Sequence, residues 1–127
     1  MKKVLVVEDD KPTLYLLKKI INDIGYVDIL ATSAELATEI LKVNPDIDLV
    51  ITDVSLEEKS GLSLLIDIRK SKTYAKIPVI ICSGTVKKDD VFKFLKEGAS
   101  LFIEKPINTK KMQAHIIKLL DYDLVKS

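Results

Sequence analysis

The strongest constraint on this chain is a change of hydrophobic period that recurs along its length. Short uninterrupted apolar runs alternate with longer stretches whose apolar residues return every three or four positions. A run with no polar member has no side to show to water, which fits a strand buried on both faces. The longer stretches fit helices that lay one face on a sheet. Consecutive strands separated by helices must run parallel, through right-handed crossovers.

The first run is residues 4–7. Residues 12–24 follow as a helix with Leu14, Leu17, Ile21 and Ile24 on one face; Pro12 suits its first turn and Gly25 its left-handed cap. Residues 27–31 form a second, weaker strand. Thr32 and Glu35 have the spacing of a capping box, opening a helix to residue 43 that Asn44-Pro45 ends. Residues 49–52 are a third strand, running into Asp53. After a loop to about Ser60 comes a helix carrying Leu62, Leu65 and Ile68. Residues 79–82, behind Pro78, form the most apolar strand. A helix over about 87–97 stops at Gly98, residues 101–103 form the fifth strand, and the last helix spans about 109–120. Five strands and five helices predict an α/β three-layer sandwich around a five-stranded parallel sheet. The length, 127 residues, suits a single domain over 1–127, with its core at about 3–120 and a short tail at 121–127.

Composition excludes several function classes. The net charge of +1 gives no bulk attraction for nucleic acid or membrane. One cysteine, Cys82, excludes an internal disulfide and any multi-cysteine metal site. No apolar run approaches the roughly 20 residues that span a bilayer, and the apolar stretch after the opening lysines is too short for a signal peptide, so the expected location is cytoplasmic. The four glycines are scattered at 25, 61, 84 and 98, with no dinucleotide-binding G-x-G-x-x-G.

Parallel α/β sheets bind ligands at the carboxyl ends of their strands. Past the first strand lie Glu8, Asp9 and Asp10. Past the third is Asp53, past the fourth Ser83, Gly84 and Thr85, and past the fifth Glu104 and Lys105. Carboxylates in this number suit a hard divalent cation such as Mg2+. Lys105 adds a fixed positive charge and Ser83 a movable donor, which fits the handling of a phosphoryl group.

These pieces carry a resemblance. VLVVEDD, LVITD, VIICSG and GASLFIEKPI, in that order, resemble the motifs of response-regulator receiver domains of two-component signalling, of the chemotaxis-regulator type. The resemblance runs from Val4 to about Leu120, and Gly61 stands where the family usually has a glycine. It implies a flavodoxin-like, doubly wound fold and a set of roles. Asp53 would accept a phosphoryl group from a phosphohistidine on a sensor histidine kinase or histidine phosphotransfer protein. Asp9 would hold Mg2+ directly, Glu8 through water, and Ser55 through its backbone carbonyl. Lys105 would pair with Asp53 at rest and with phosphoryl oxygens afterwards. Ser83, beside Gly84, would move to bond the phosphoryl group, and Phe102 would turn inward in response. The family commonly has a cis peptide at the position of Lys105–Pro106. The protein would be a signalling switch, not an enzyme beyond its own phosphotransfer and dephosphorylation. It would act on a downstream effector, as a stand-alone regulator or as the receiver of a longer one.

The chain also departs from the family. Leu56 and Glu57 replace a usual Met-Pro after the phosphoacceptor, so Glu57 adds negative charge where a rigid proline is common. Phe102 lacks the hydroxyl of the frequent tyrosine. The alternative is a docking module that works without phosphorylation, with Glu57 the one feature in its favour and the complete set of Glu8, Asp9, Asp53, Ser83 and Lys105 against it. A metal-dependent phosphatase would favour Asp-x-Asp after the first strand, which is missing. Outside the motifs, Asp10 reads as a helix cap, Cys82 as a buried thiol and His115 as a boundary residue. The lysines of the C-terminal third read as a solvated face.

Overall fold

The computed structural model describes residues 1–56, 60–84 and 87–121. Its elements are β1 (Lys3–Val7), α1 (Lys11–Asp23), β2 (Val27–Ala31), α2 (Ala34–Val43), β3 (Leu49–Asp53), α3 (Gly61–Lys70), β4 (Val79–Ser83), α4 (Lys88–Lys96), β5 (Leu101–Glu104) and α5 (Thr109–Leu120). All five strands pair parallel in one sheet, in the order β2-β1-β3-β4-β5. The order reverses between β1 and β3, which makes the carboxyl ends of those strands the topological switch point. This is the flavodoxin-like architecture that the motifs imply.

Strand alternation distributes the core. Val4, Val6, Leu49, Ile51, Ile80 and Cys82 pack with Leu14, Leu17, Ile20 and Ile21 of α1 and with Met112 and Ile116 of α5. Leu5, Val7, Val50, Val79 and Ile81 pack instead with α2, α3 and Phe94 of α4. Each of the largest fully buried side chains contributes roughly 1.5–3 kcal/mol. The outer strands explain the weaker sequence signal of residues 27–31: most of β2 and β5 is only half-buried. Asp28 can therefore stand on β2, accepting from Asn22 Nδ2 at 2.8 Å and Lys18 Nζ at 3.3 Å.

The elements fall where the periodicity puts them, with local corrections. The N-cap of α2 is Ser33, not Thr32. Ser33 is extended, at φ −145° and ψ 158°, and its Oγ accepts from Leu36 N at 3.1 Å. A cap oxygen must reach the amide three residues on, and Thr32 stands one residue too early. On α1 the buried stripe includes Ile20, while Ile24 is half-buried beyond the helix end. On α3, Leu64 joins Leu65 and Ile68 in the core. Gly25 and Gly98 close α1 and α4 at φ +84° and +104°.

Candidate functional site

The same alternation that builds the core builds the site. Val4 and Val6 face α1 and α5, so Glu8, two residues on, continues that stripe past the end of β1. Leu49 and Ile51 lead in the same way to Asp53, and Leu101 and Ile103 to Lys105. The ladder pairs Val7 with Thr52 and Asp53 with Cys82, bringing the ends of β1, β3 and β4 level. One oxygen each of Glu8, Asp9 and Asp53 then lies within 4.8 Å of the others. Lys105 closes the group: its Nζ donates to Glu8 Oε1 at 2.7 Å and stands 3.5 Å from Asp53 Oδ2. The 2.7 Å bond joins residues 97 apart in sequence.

Burial differs sharply within this cluster. Glu8 is 1% exposed, Asp53 and Lys105 are half-buried, and Asp9 is exposed. Burial pushes the Glu8 carboxyl above its ordinary range; Lys105 pulls it back in part, and the charge on Asp53 pushes it up again. For Lys105 the largest effect is burial, which lowers it, but Glu8 and Asp53 together outweigh it and hold the ammonium above its usual value. The donor set is all carboxylate oxygen, hard and close-spaced, which is chemistry that fits Mg2+. Ser55 follows on the exposed loop two residues past Asp53.

Ser83 ends β4, one strand from Asp53, and is 6% exposed; Gly84 follows it and is exposed. Phe102 pairs with Ile81 in the ladder and faces the opposite side of the sheet, where its ring meets Phe94 of α4 edge-on at 5.6 Å between centroids. Leu56 packs against the core on that side, whereas Glu57 and Thr85 lie outside the described residues. The Lys105–Pro106 peptide is cis. Asp10 caps α1, accepting from Thr13 N at 3.1 Å and Thr13 Oγ1 at 2.5 Å, so it stands apart from the cluster. Cys82 is buried, its thiol pushed up to about 12, and His115 is a half-buried boundary residue on α5.

Gly61 has a role that its place in the chain does not announce. A Cβ there would sit 2.1 Å from the Asp53 carbonyl oxygen, so the first turn of α3 rests directly on the backbone of the acid. Arg69 was not singled out by sequence reasoning. Its guanidinium donates to Gly98 O at 3.0 and 2.7 Å, to Ala75 O at 2.9 Å and to Ile77 O at 2.6 Å, tying α3 to the turn before β5 and to the approach to β4. The available signal was its rarity, since it is the single arginine among 20 basic residues.

Residues 4–117 match the family described as response regulator receiver domain. A two-component response regulator-like protein of Arabidopsis thaliana, APRR7, is 34% identical over 112 residues, 87% of this chain and 15% of that protein. A chemotaxis protein CheY homolog of Campylobacter jejuni is 29% identical over 119 residues, covering 93% of this chain and 92% of its own. The crystal structure of a response regulator receiver domain protein from Clostridium thermocellum superposes with a TM-score of 0.88 at 26% identity, over 100% of both chains. Among the described residues no helix is long and apolar enough to cross a membrane.

Proposed function

This chain belongs to the response-regulator receiver domain family of two-component signalling, and on that premise we propose that it is a phosphoacceptor switch with Asp53 as the acceptor. The observation that carries the reading is the position of Asp53, with Glu8 and Asp9 on one side and the Lys105 ammonium on the other. The donor is a phosphohistidine on a sensor histidine kinase or histidine phosphotransfer protein. A lone pair on an Asp53 oxygen forms the new O–P bond as the N–P bond breaks, and the departing electron pair stays on the imidazole nitrogen. Hydrolysis of the resulting acyl phosphate returns Asp53 and inorganic phosphate.

In this reading Glu8, Asp9, Asp53 and the Ser55 backbone carbonyl would hold Mg2+. The bound ion supplies neutralisation of the charge that gathers on the transferring phosphoryl oxygens. Lys105 supplies a second positive group to those oxygens, and Ser83, next to Gly84, supplies a hydroxyl donor from the neighbouring strand. Movement of Ser83 draws Phe102 inward. Phe102 already touches Phe94, so its displacement reaches α4 and changes the surface offered to an effector. The whole of 1–127 acts as one receiver domain with its core at about 3–120. Its setting is cytoplasmic, where the phosphohistidine donor is made.

The test is the intact mass after incubation with a small phosphodonor, with and without MgCl2, beside Asp53→Asn. A magnesium-dependent gain of one phosphoryl group, lost in the variant, is the expected result. No gain in the folded protein under any condition would replace this reading with that of a phosphorylation-independent docking module.

A further inference from the structure

The Lys105 ammonium is closer to Glu8 than to the acceptor Asp53, at 2.7 Å against 3.5 Å. The first distance is a short charge-assisted hydrogen bond and the second is longer than a hydrogen bond should be. The other Glu8 oxygen is also engaged, accepting from Asp9 N at 3.2 Å. Glu8 is 1% exposed, so its charge is met by protein and hardly at all by water. We propose that Lys105 is a tethered counter-cation for Glu8, one that a divalent metal must displace before Glu8 can serve it. Metal binding and release of Lys105 toward Asp53 are then a single exchange.

The inference rests on the metal reading above and goes a step beyond it. A lysine bonded only to the acceptor would be indifferent to what happens at Glu8. Here the same ammonium is held by the carboxylate that the metal shell needs. Once a divalent ion draws on Glu8, the other anionic partner of Nζ among the described residues is Asp53, or the phosphoryl group it has accepted. Lys105 would therefore reach the phosphoryl oxygens only in the metal-loaded site. The length of Glu8 matters as much as its charge. Shortening it to aspartate withdraws the carboxylate by up to one carbon–carbon bond, about 1.5 Å, which carries the 2.7 Å contact beyond bonding range.

The experiment is a titration with MgCl2 at constant ionic strength, followed by amide chemical shifts, on the wild type, Lys105→Met, Glu8→Asp and the double variant. Folding of each is checked first by circular dichroism, with Lys105→Gln in reserve. Lys105→Met is expected to tighten Mg2+ binding about tenfold or more in the wild-type background, the scale of a lost half-buried ion pair. In the Glu8→Asp background, where the formal charges are unchanged and only the reach is lost, the same substitution should matter less than about threefold, as a plain field effect does. Equal gains in both backgrounds, or no gain in the first, would overturn the latch while leaving the metal site standing. No Mg2+ response in any of the four would overturn the metal reading itself and the latch with it. As a second readout, the Lys105 ammonium signal in the wild type should lose its protection from exchange with water as Mg2+ is added.

Discussion

Replacing Gly61 with alanine should both destabilise the fold and disable the proposed acceptor, and the size of each effect follows from one contact. The backbone of Gly61 has an ordinary negative φ, so conformation is no obstacle. Space is the obstacle: the new Cβ would stand 2.1 Å from the Asp53 carbonyl oxygen, where the near limit of an ordinary contact is 3.4 Å, so the oxygen must retreat by about 1.3 Å. That oxygen belongs to backbone fixed in the sheet, and it also accepts from Thr52 Oγ1 at 3.1 Å. Overpacking of this kind costs about 1–3 kcal/mol. Straining the bond from Gly61 N to Val54 O, 2.8 Å long, adds about 1 kcal/mol. Alanine regains about 0.5–1 kcal/mol from its better helix propensity. The net loss is about 1–3.5 kcal/mol, or about 4–14 °C in Tm for a domain of this size. A shift of about 1 Å at Asp53 should also slow phosphorylation by a small phosphodonor by about tenfold to a hundredfold. Scanning calorimetry and the intact-mass time course read the two effects. Gly84→Ala is the control, because among the described residues nothing stands within 4 Å of its Cβ; it should leave Tm within about 2 °C. A Gly61→Ala protein with wild-type Tm and phosphorylation rate would show that α3 slides freely on β3, refuting the argument.

Three further substitutions probe the frame around the site. Arg69→Lys keeps the charge but cannot reach the carbonyls of Gly98, Ala75 and Ile77 together; urea unfolding should report a loss of about 1.5–3 kcal/mol, with the turn at Gly98 the first to gain hydrogen exchange. The Tyr26 hydroxyl donates to Asp121 Oδ2, and burial, with that partner, pushes its pKa up to about 12. Stability from this raised group is complete below pH 10 and is lost as pH rises through about 12; absorbance at 295 nm should show one late tyrosine, absent in Tyr26→Phe. Asp28 is held below its ordinary pKa, the bonds from Asn22 and Lys18 outweighing burial. Its contribution is therefore present above its unfolded pKa of 3.8 and lost as pH falls through the lower folded value. Melting temperature against pH should consequently fall less steeply below about pH 4 in Asp28→Asn than in the wild type.

Much of this architecture was legible in the sequence because the strands are buried on both faces. A parallel strand such as β4 is uninterruptedly apolar from Val79 to Cys82, so periodicity alone separates it from the amphipathic helices. The acids and Lys105 were legible because each follows directly on such a run. What the sequence hid is longer in range. That Lys105 sits closer to Glu8 than to Asp53 depends on how far each side chain extends across the sheet edge, which a list of strand ends does not contain. The four bonds of Arg69 join segments up to 29 residues apart and leave no local period. The shift of the α2 cap from Thr32 to Ser33 turns on one residue's backbone angles, a scale finer than any pattern of apolar residues.

The cluster is also costly by the rules that built the core. At position 8 a leucine would continue the stripe of Val4 and Val6 and gain about 2 kcal/mol of burial; the chain places there a carboxylate that is 1% exposed. Two more carboxylates stand within 4.8 Å of it, and among the described residues one ammonium, Lys105, pairs with two of the three, Glu8 and Asp53. With all four ionised, these three carboxylates and Lys105 carry two net negative charges, the complement of one divalent cation. A phosphoryl group brings further negative charge to the same few ångströms, so on the proposed reading an ion must be in place before Asp53 can accept one. The sheet order makes this dependence unavoidable. With β3 between β1 and β4, Asp53 has the acids of the β1 end on one side and the donors of β4 and β5 on the other. Any group added to Asp53 is therefore met at once by both, and on the proposed reading a signal written there passes through the strand that carries Phe102.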